Sequence, residues 1–264
     1  MKTAVVTGAS RGIGLETAKL FAQNGYRVYA LSRSGTSEKQ ENIIPMKCDV
    51  TDEDEIRNAF RLIFEESGRM DVLVNNAGFG ISGAVEFTDK KQAQKQFEVN
   101  FFGCFLCCKA AAEYMRKNGG GRIVNISSLA AELSIPFQAF YSASKAAVNS
   151  LTLALANELR PFHITVCALM PGDVKTGFTE NREKEKEISG VYGETIKKSI
   201  ATMEKDELHG MSARAAGARI ARIALRQRVK PQYGLGVKYQ LFLVLCRLLP
   251  CRLTAWIVGK LYGG

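Results

Sequence analysis

This chain of 264 residues holds only two histidines, one tryptophan and six prolines. His163 and His209 do not stand at a spacing with other ligands that would suit a metal, and no metal is expected. Scarce proline beside 24 glycines indicates many tight turns rather than disorder. No apolar run approaches the ~20 residues that a membrane-spanning helix needs. The first strand is expected to start at Lys2 or Thr3, which leaves no room for a cleavable signal peptide. Seven cysteines, an odd number without regular spacing, do not make a disulfide framework. Cys104, Cys107 and Cys108 fall in an apolar helical stretch and read as small buried hydrophobes, while Cys246 and Cys251 lack partners. A reduced, cytoplasmic protein is expected, without a nucleic-acid partner.

Acids are missing from the last fifth of the chain. From Gly210 onward there are ten Lys or Arg and no Asp or Glu, so the net charge of +10 belongs to this segment. Residues 1–209 balance at 26 basic and 26 acidic. No internal repeat, low-complexity segment or linker divides the chain. A hydrophobic share of 46% is enough for a sizeable core.

Strand-like and helix-like stretches alternate through the first two thirds. Strands are expected at Thr3–Thr7, Arg27–Ser32, Ile43–Cys48, Asp71–Asn75, Arg122–Ser127 and Ile164–Leu169. Helices are expected at Gly12–Asn24, at Asp52–Glu66 behind Thr51 as N-cap, over about Lys91–Lys117, and at Phe140–Leu159. Such alternation gives a parallel sheet with right-handed crossovers. The expected fold is α/β, one doubly wound Rossmann-type domain over 1–237, with an extension over 238–264.

Two local patterns carry the chemistry. Gly8, Gly12 and Gly14 lie where the first strand turns into the first helix. Glycines let the backbone approach a pyrophosphate, and a helix N-terminus favours its negative charge. Tyr141 and Lys145 are four residues apart and share one helix face. A phenol is a poor proton donor or base near neutral pH unless a cation stabilises its phenolate. A lysine one turn away is a suitable cation.

Thr7-Gly8-Ala9-Ser10-Arg11-Gly12-Ile13-Gly14, Asn75-Asn76-Ala77-Gly78 and Tyr141-Ser142-Ala143-Ser144-Lys145 together resemble the short-chain dehydrogenase/reductase family. Asp49, Asn100, Ser128 thirteen residues before Tyr141, and Pro171-Gly172 extend the resemblance over residues 3–172. It implies a nucleotide-binding sheet of about seven strands with the active site at their carboxyl ends. It implies Tyr141 as general acid or base, and Lys145 as the cation that lowers its pKa and binds the nicotinamide ribose. Asn100 would hold a water that relays protons. Ser128 would bond the substrate oxygen; alternation at the strand end does not decide between it and Ser127, and the family spacing favours Ser128.

The resemblance also assigns a cofactor site. It comprises Gly8, Ser10, Arg11, Gly12, Ile13 and Gly14, with Asp49 and Val50 at the adenine and Asn76, Ala77 and Gly78 along the channel. Tyr141, Lys145, Pro171, Gly172, Val174 and Thr176 complete it. No acid follows the second strand, where Leu31-Ser32-Arg33-Ser34 stands. An acid there would hold the 2′-hydroxyl of NAD, whereas Arg33 and Arg11 suit the 2′-phosphate of NADP(H).

These features point to an oxidoreductase that interconverts an alcohol with a ketone or aldehyde. The rival class is a cofactor-binding regulatory or scaffold protein without turnover; the complete Ser128, Tyr141 and Lys145 set favours the enzyme. An epimerase or dehydratase would need a larger substrate domain.

Residues 176–209 are the expected substrate loop. Its run Glu180–Glu187 alternates in sign and reads as a solvated helix face. Val191, Tyr192, Ile196, Ile200 and Met203 are candidates for an apolar lining, with Phe137, Phe140 and Phe178 near the mouth. No residue of the loop reads as a dedicated cation for a substrate anion. A lipophilic substrate such as a steroid, retinoid or acyl chain is expected, with a small polar carbonyl as the alternative.

After a short last strand within 232–237, Tyr239–Tyr262 is apolar, carries Trp256 and is broken by Pro250. It reads as two helices packed on the domain or across a homo-oligomer contact. Alternatively it is a lid or a peripheral anchor on an anionic membrane. A homo-oligomer is expected.

Overall fold

In the computed structural model of the chain, residues 1–35, 40–178, 182–184 and 191–263 are described. The elements run β1 (Lys2–Thr7), α1 (Gly12–Gln23), β2 (Tyr26–Ser32), β3 (Ile43–Lys47), α2 (Glu53–Ser67) and β4 (Val72–Asn75). They continue with β5 (Ile81–Ser82), α3 (Lys90–Phe97), α4 (Gly103–Lys117), β6 (Gly121–Ile126), α5 (Ala139–Glu158) and β7 (Ile164–Met170). Next come β8 (Val174–Lys175), β9 (Glu183–Lys184), α6 (Gly193–Leu208) and β10 (Met211–Ser212). The chain finishes with α7 (Ala213–Ala224), β11 (Gln232–Gly234), α8 (Val237–Leu248) and α9 (Cys251–Tyr262).

Seven strands form one parallel sheet in the order β11-β7-β6-β4-β1-β2-β3. Alternate residues of β1 face opposite layers. Ala4 and Val6 join a core with Phe21 of α1 and Ile220 of α7. Val5 joins another with Phe60 of α2, Met115 of α4 and Val148 of α5. Burial on both faces explains why the strands are near-continuous apolar runs. The strand order reverses at β1, whose neighbours β2 and β4 lead away in opposite directions. A crevice opens there at the carboxyl ends, where α/β sheets bind ligands.

Three local expectations are corrected. Asp52, not Thr51, caps α2: its Oδ1 accepts the N–H groups of Asp54 and Glu55, each at 2.9 Å. Thr51 instead donates through its N–H and Oγ1 to Asp49 Oδ1 at 3.0 and 2.9 Å. The expected single helix over Lys91–Lys117 is α3 and α4 joined by a π-helical turn, Glu98–Phe102. The sign-alternating run does not supply a helix face where it is described. Glu183 and Lys184 pair as a strand with Ile81 and Ser82, and the remainder of the run lies outside the described residues.

The tail forms two helices with Pro250 at the break, as the sequence predicts. Leu243 of α8 is buried against Leu129 and Met170, with Tyr239 beside them. Tyr262 of α9 donates to Asp206 of α6 at 3.2 Å. Among the described residues no helix is long and apolar enough to cross a membrane.

Candidate active site

The glycine turn is built for close approach. Gly8 and Gly12 adopt φ +63° and +59°, a region costly for residues with a Cβ. A Cβ on Gly14 would lie 2.4 Å from the Gly8 carbonyl oxygen and 2.5 Å from Asn76 Nδ2. Asn76 straps the turn to the end of β4, donating from Nδ2 to the carbonyls of Thr7 and Gly8 at 3.0 and 3.1 Å. Thr7 Oγ1 accepts the N–H groups of Asn76 and Ala77. Ser10 is half-buried in the turn, and Ile13 packs on the core behind it.

Arg11 occupies the N-cap of α1 in extended conformation with no side-chain cap bond, and the first helical turn contains no acid. The turn therefore presents backbone N–H groups and a positive helix end without a competing carboxylate, a cradle that fits a pyrophosphate. Ala9 donates to the Leu31 carbonyl at 3.1 Å, which seats the turn against the end of β2. Exposed Arg33 follows immediately. Thr176 approaches from the far side, its Cβ 3.7 Å from the place a Gly12 Cβ would take.

On the adenine side, the Asp49 N–H donates to Glu55 at 2.7 Å while its Oδ1 holds Thr51. Val50 is pressed by α4: a Cβ on Gly103 would lie 2.8 Å from Val50 Cγ2 and 2.9 Å from its carbonyl oxygen. Gly103 was not legible as a site residue, because a glycine after Phe102 carries no local turn signal.

At the other end of the crevice, Ser128 lies two residues past the end of β6, and Tyr141 and Lys145 lie on α5. Ser127 turns away, donating to the Lys145 carbonyl at 3.1 Å, whereas Ser128 hydrogen-bonds Tyr141. Ser128 Oγ also accepts the Ala130 N–H at 3.1 Å. Lys145 Nζ lies 5.9 Å from the Tyr141 ring centroid and donates to the Ile126 carbonyl at 2.8 Å. Gly78 stands between two groups of the set, since a Cβ there would lie 3.1 Å from Asn100 Oδ1 and 3.4 Å from Lys145 Nζ.

Asn100 sits inside the π turn and is buried. Its amide accepts from the Phe79 N–H and donates to the Phe79 carbonyl, each at 3.0 Å, and donates to Ser144 Oγ at 3.1 Å. A π turn shifts the helix phase by one residue and frees backbone positions, a device frequent at functional sites.

Burial sets the protonation states. Part of the Tyr141 surface stays accessible, yet enclosure pushes its phenol up to about 12, and the Ser128 hydrogen bond only partly opposes this. The expected lowering by Lys145 is not what this protein alone displays. Lys145 is itself pushed down to about 8 by burial. The phenol thus remains a proton donor through neutral pH, beside an ammonium that titrates close to it.

The Pro171-Gly172 turn borders the site. Pro171 accepts the Leu129 N–H at 3.0 Å, and Val174 is buried in the core. The Tyr239 ring covers Gly172, where a Cβ would lie 2.3 Å from the ring. Its hydroxyl accepts the Asp173 N–H at 3.2 Å. The Phe178 ring faces Tyr141 at 5.7 Å. Phe137, at φ +61°, meets Tyr192 at 5.7 Å, and Phe140 is half-buried on α5. Of the expected lining, Ile196 and Met203 are buried, Ile200 is partly buried and Val191 is exposed.

The model of the short chain dehydrogenase family matches residues 2–187. The chain belongs to this family of oxidoreductases. It is 44% identical over 226 residues to a 3-ketodihydrosphingosine reductase of Bacteroides thetaiotaomicron, covering 84% of this chain and 83% of that one. The solved structure of ElxO with NADP bound has TM-score 0.74 and 30% identity, covering 90% of this chain and 98% of its own. A Burkholderia phymatum relative in complex with NAD has TM-score 0.79 and 23% identity over 94% and 92%, a likeness of fold alone.

Proposed function

We propose that this chain is an NADP(H)-dependent reductase of a lipophilic ketone or aldehyde, reversible toward the alcohol. The observation that carries the reading is the convergence of Ser128, Tyr141 and Lys145 at the carboxyl ends of β6 and α5's first turns, beside the glycine cradle. The cofactor, when bound, supplies the hydride or takes it back. Gly8, Ser10, Arg11, Gly12, Ile13 and Gly14 would hold its pyrophosphate and Arg11 and Arg33 its 2′-phosphate. Asp49 and Val50 would border adenine. Asn76, Ala77, Gly78, Pro171, Gly172, Val174 and Thr176 would line the remaining channel.

Ser128 would hold the substrate oxygen while Tyr141 gives up its phenolic proton to it. The O–H bond of the phenol breaks as the O–H bond of the alcohol forms, and the phenolate left behind is stabilised by the Lys145 ammonium. Asn100 would position Ser144 and the Phe79 backbone around that lysine, and hold a water that relays protons to it.

Support for a lipophilic substrate comes from the aromatic surroundings of Tyr141 and from the similarity to the Bacteroides 3-ketodihydrosphingosine reductase. The tail extends this reading. Val237, Leu241, Val244, Leu245 and Leu248 form an exposed stripe along α8, and Leu253, Trp256 and Leu261 are exposed on α9. The segment carries cations and no acid, so an anionic lipid surface is the complementary partner. The deciding experiment is a panel of long-chain and small polar carbonyls followed by NADPH absorbance. Cofactor binding without turnover of any member would favour the binding-protein class.

A further inference from the structure

Arg182 is a buried charge that the proton-transfer set leaves unused. Its side chain is fully enclosed, and its Nη2 pairs with Glu207 of α6. Among the described residues its Nε and Nη1 have no hydrogen-bond partner. The segment is drawn inward by pairing with β5. The Glu183 N–H donates to the Gly80 carbonyl at 2.9 Å, and Lys95 holds the Glu183 carboxylate at 2.5 Å. Gly80 makes the room: a Cβ there would lie 3.1 Å from the Phe178 ring and 3.8 Å from Arg182 Nε.

One ring separates this guanidinium from the proton donor. The Arg182 guanidinium carbon lies 5.8 Å from the Phe178 centroid, and the same ring lies 5.7 Å from that of Tyr141. Both members of the ion pair act on the phenol, Glu207 raising its pKa and Arg182 lowering it.

A structural ion pair would not require this arrangement. Buried donors without acceptors are unfavourable, and apolar residues of similar volume often replace a buried pair without loss. Two buried N–H groups without acceptors, one ring away from the Tyr141 phenol, fit a ligand that brings its own acceptor. Glu207 already neutralises the guanidinium. A further full negative charge is disfavoured there, whereas a neutral oxygen is not.

We propose that Arg182 recognises a second, neutral oxygen of the substrate, an acyl carbonyl or hydroxyl two carbons from the carbonyl at Tyr141. The span across one aromatic ring suits such a 1,3-dioxygenated head with its hydrogen bonds. Arg182 thereby selects lipids with an oxygenated head over plain ketones. This rests on the reductase reading of the same site.

The test compares ethyl 3-oxodecanoate with 3-decanone, which share the alkyl tail and differ in the ester. The parent is compared with Arg182→Lys and with Arg182→Met/Glu207→Gln, which leaves no unpaired buried charge; circular dichroism checks folding. The parent should prefer the ester by about tenfold or more in kcat/KM, and the double variant should lose that ratio. Arg182→Lys should lie between. Calorimetry with the NADP-loaded proteins should find ethyl 3-hydroxydecanoate bound about tenfold more weakly by the double variant. Equal use of ester and ketone by the parent, or a ratio and affinity unchanged in the variant, overturns the assignment. A parent that turns over neither compound defeats the reductase reading, while the titration still decides Arg182: no binding to the parent rejects it.

Discussion

Lys145 donates to the carbonyl of Ile126 at 2.8 Å, tying a buried ammonium on α5 to the last residue of β6. The bond fixes the lysine under the Tyr141 ring, but burial keeps its charged form unfavourable. Function and stability therefore pull in opposite directions at this side chain.

That conflict gives the first prediction. The pKa of Lys145 falls from 10.5 to about 8 on folding, so between these values the unfolded chain binds more protons and stability rises with pH. Below about 8 both states are protonated and the full cost of burial is present. Lys145→Met should abolish turnover yet stabilise the cofactor-free protein at pH 7, by an amount on the order of 1–3 kcal/mol. Urea melts of both proteins at pH 7 and at 10 check it. The advantage of the variant should shrink at the higher pH, and an advantage that grows would contradict the sign.

Tyr141→Phe removes the proton donor and retains the ring that faces Phe178. Turnover should fall by about two to four decades, with NADPH affinity held within a few-fold. Single-turnover absorbance and a fluorescence titration measure the two quantities separately. Activity near that of the parent would remove Tyr141 from the proton path.

Arg33 should govern cofactor choice. A charge-assisted bond to phosphate contributes about 1.5–3 kcal/mol, so Arg33→Ala should weaken NADPH by about one to two decades. Its NADH affinity should change little. Arg11→Ala should add to the loss. A parent that binds both cofactors equally would contradict the 2′-phosphate assignment.

The tail should bind anionic liposomes, reversibly and more weakly at high salt. Ending the chain at Lys238 would also strip Tyr239 and Leu243 from the fold, so surface changes are the cleaner probe. Leu241→Ser/Leu248→Ser/Trp256→Ser should reduce co-sedimentation with anionic vesicles several-fold while leaving the melting temperature nearly unchanged. Binding to neutral and anionic vesicles alike, or to neither, would leave the tail as a packing element.

The parts of this site legible in the sequence are those written in short-range pattern. The glycine turn, the Tyr141–Lys145 pair and the strand-helix alternation each depend on residues within one or two turns. The π turn at Asn100 was hidden because helix-forming residues without a Gly or Pro break run from α3 to Phe102, so a one-residue change of phase reads as one long helix. Ser127 and Ser128 were separable only by the direction of the chain leaving β6. Arg182 was the plainest misreading. Its neighbours alternate in sign, as on a solvated face, while its burial comes from the pairing of adjacent Glu183 with Ile81 and from a glutamate 25 residues further on. Neither partner leaves a local trace.

Position of β11 in the sheet has a consequence for biosynthesis. It is the outermost strand, parallel to β7, and the two tail helices come after it. Until Gln232–Gly234 docks, β7 is an edge with unpaired backbone groups and a Val-Cys-Ala-Leu-Met run facing any neighbouring chain. Tyr239 and Leu243 then fasten the closing strand from behind. Nascent or prematurely terminated chains ending before Gly234 should therefore be sticky in a way that full-length protein is not, and their quality control would rest on chaperones that cover a single strand edge.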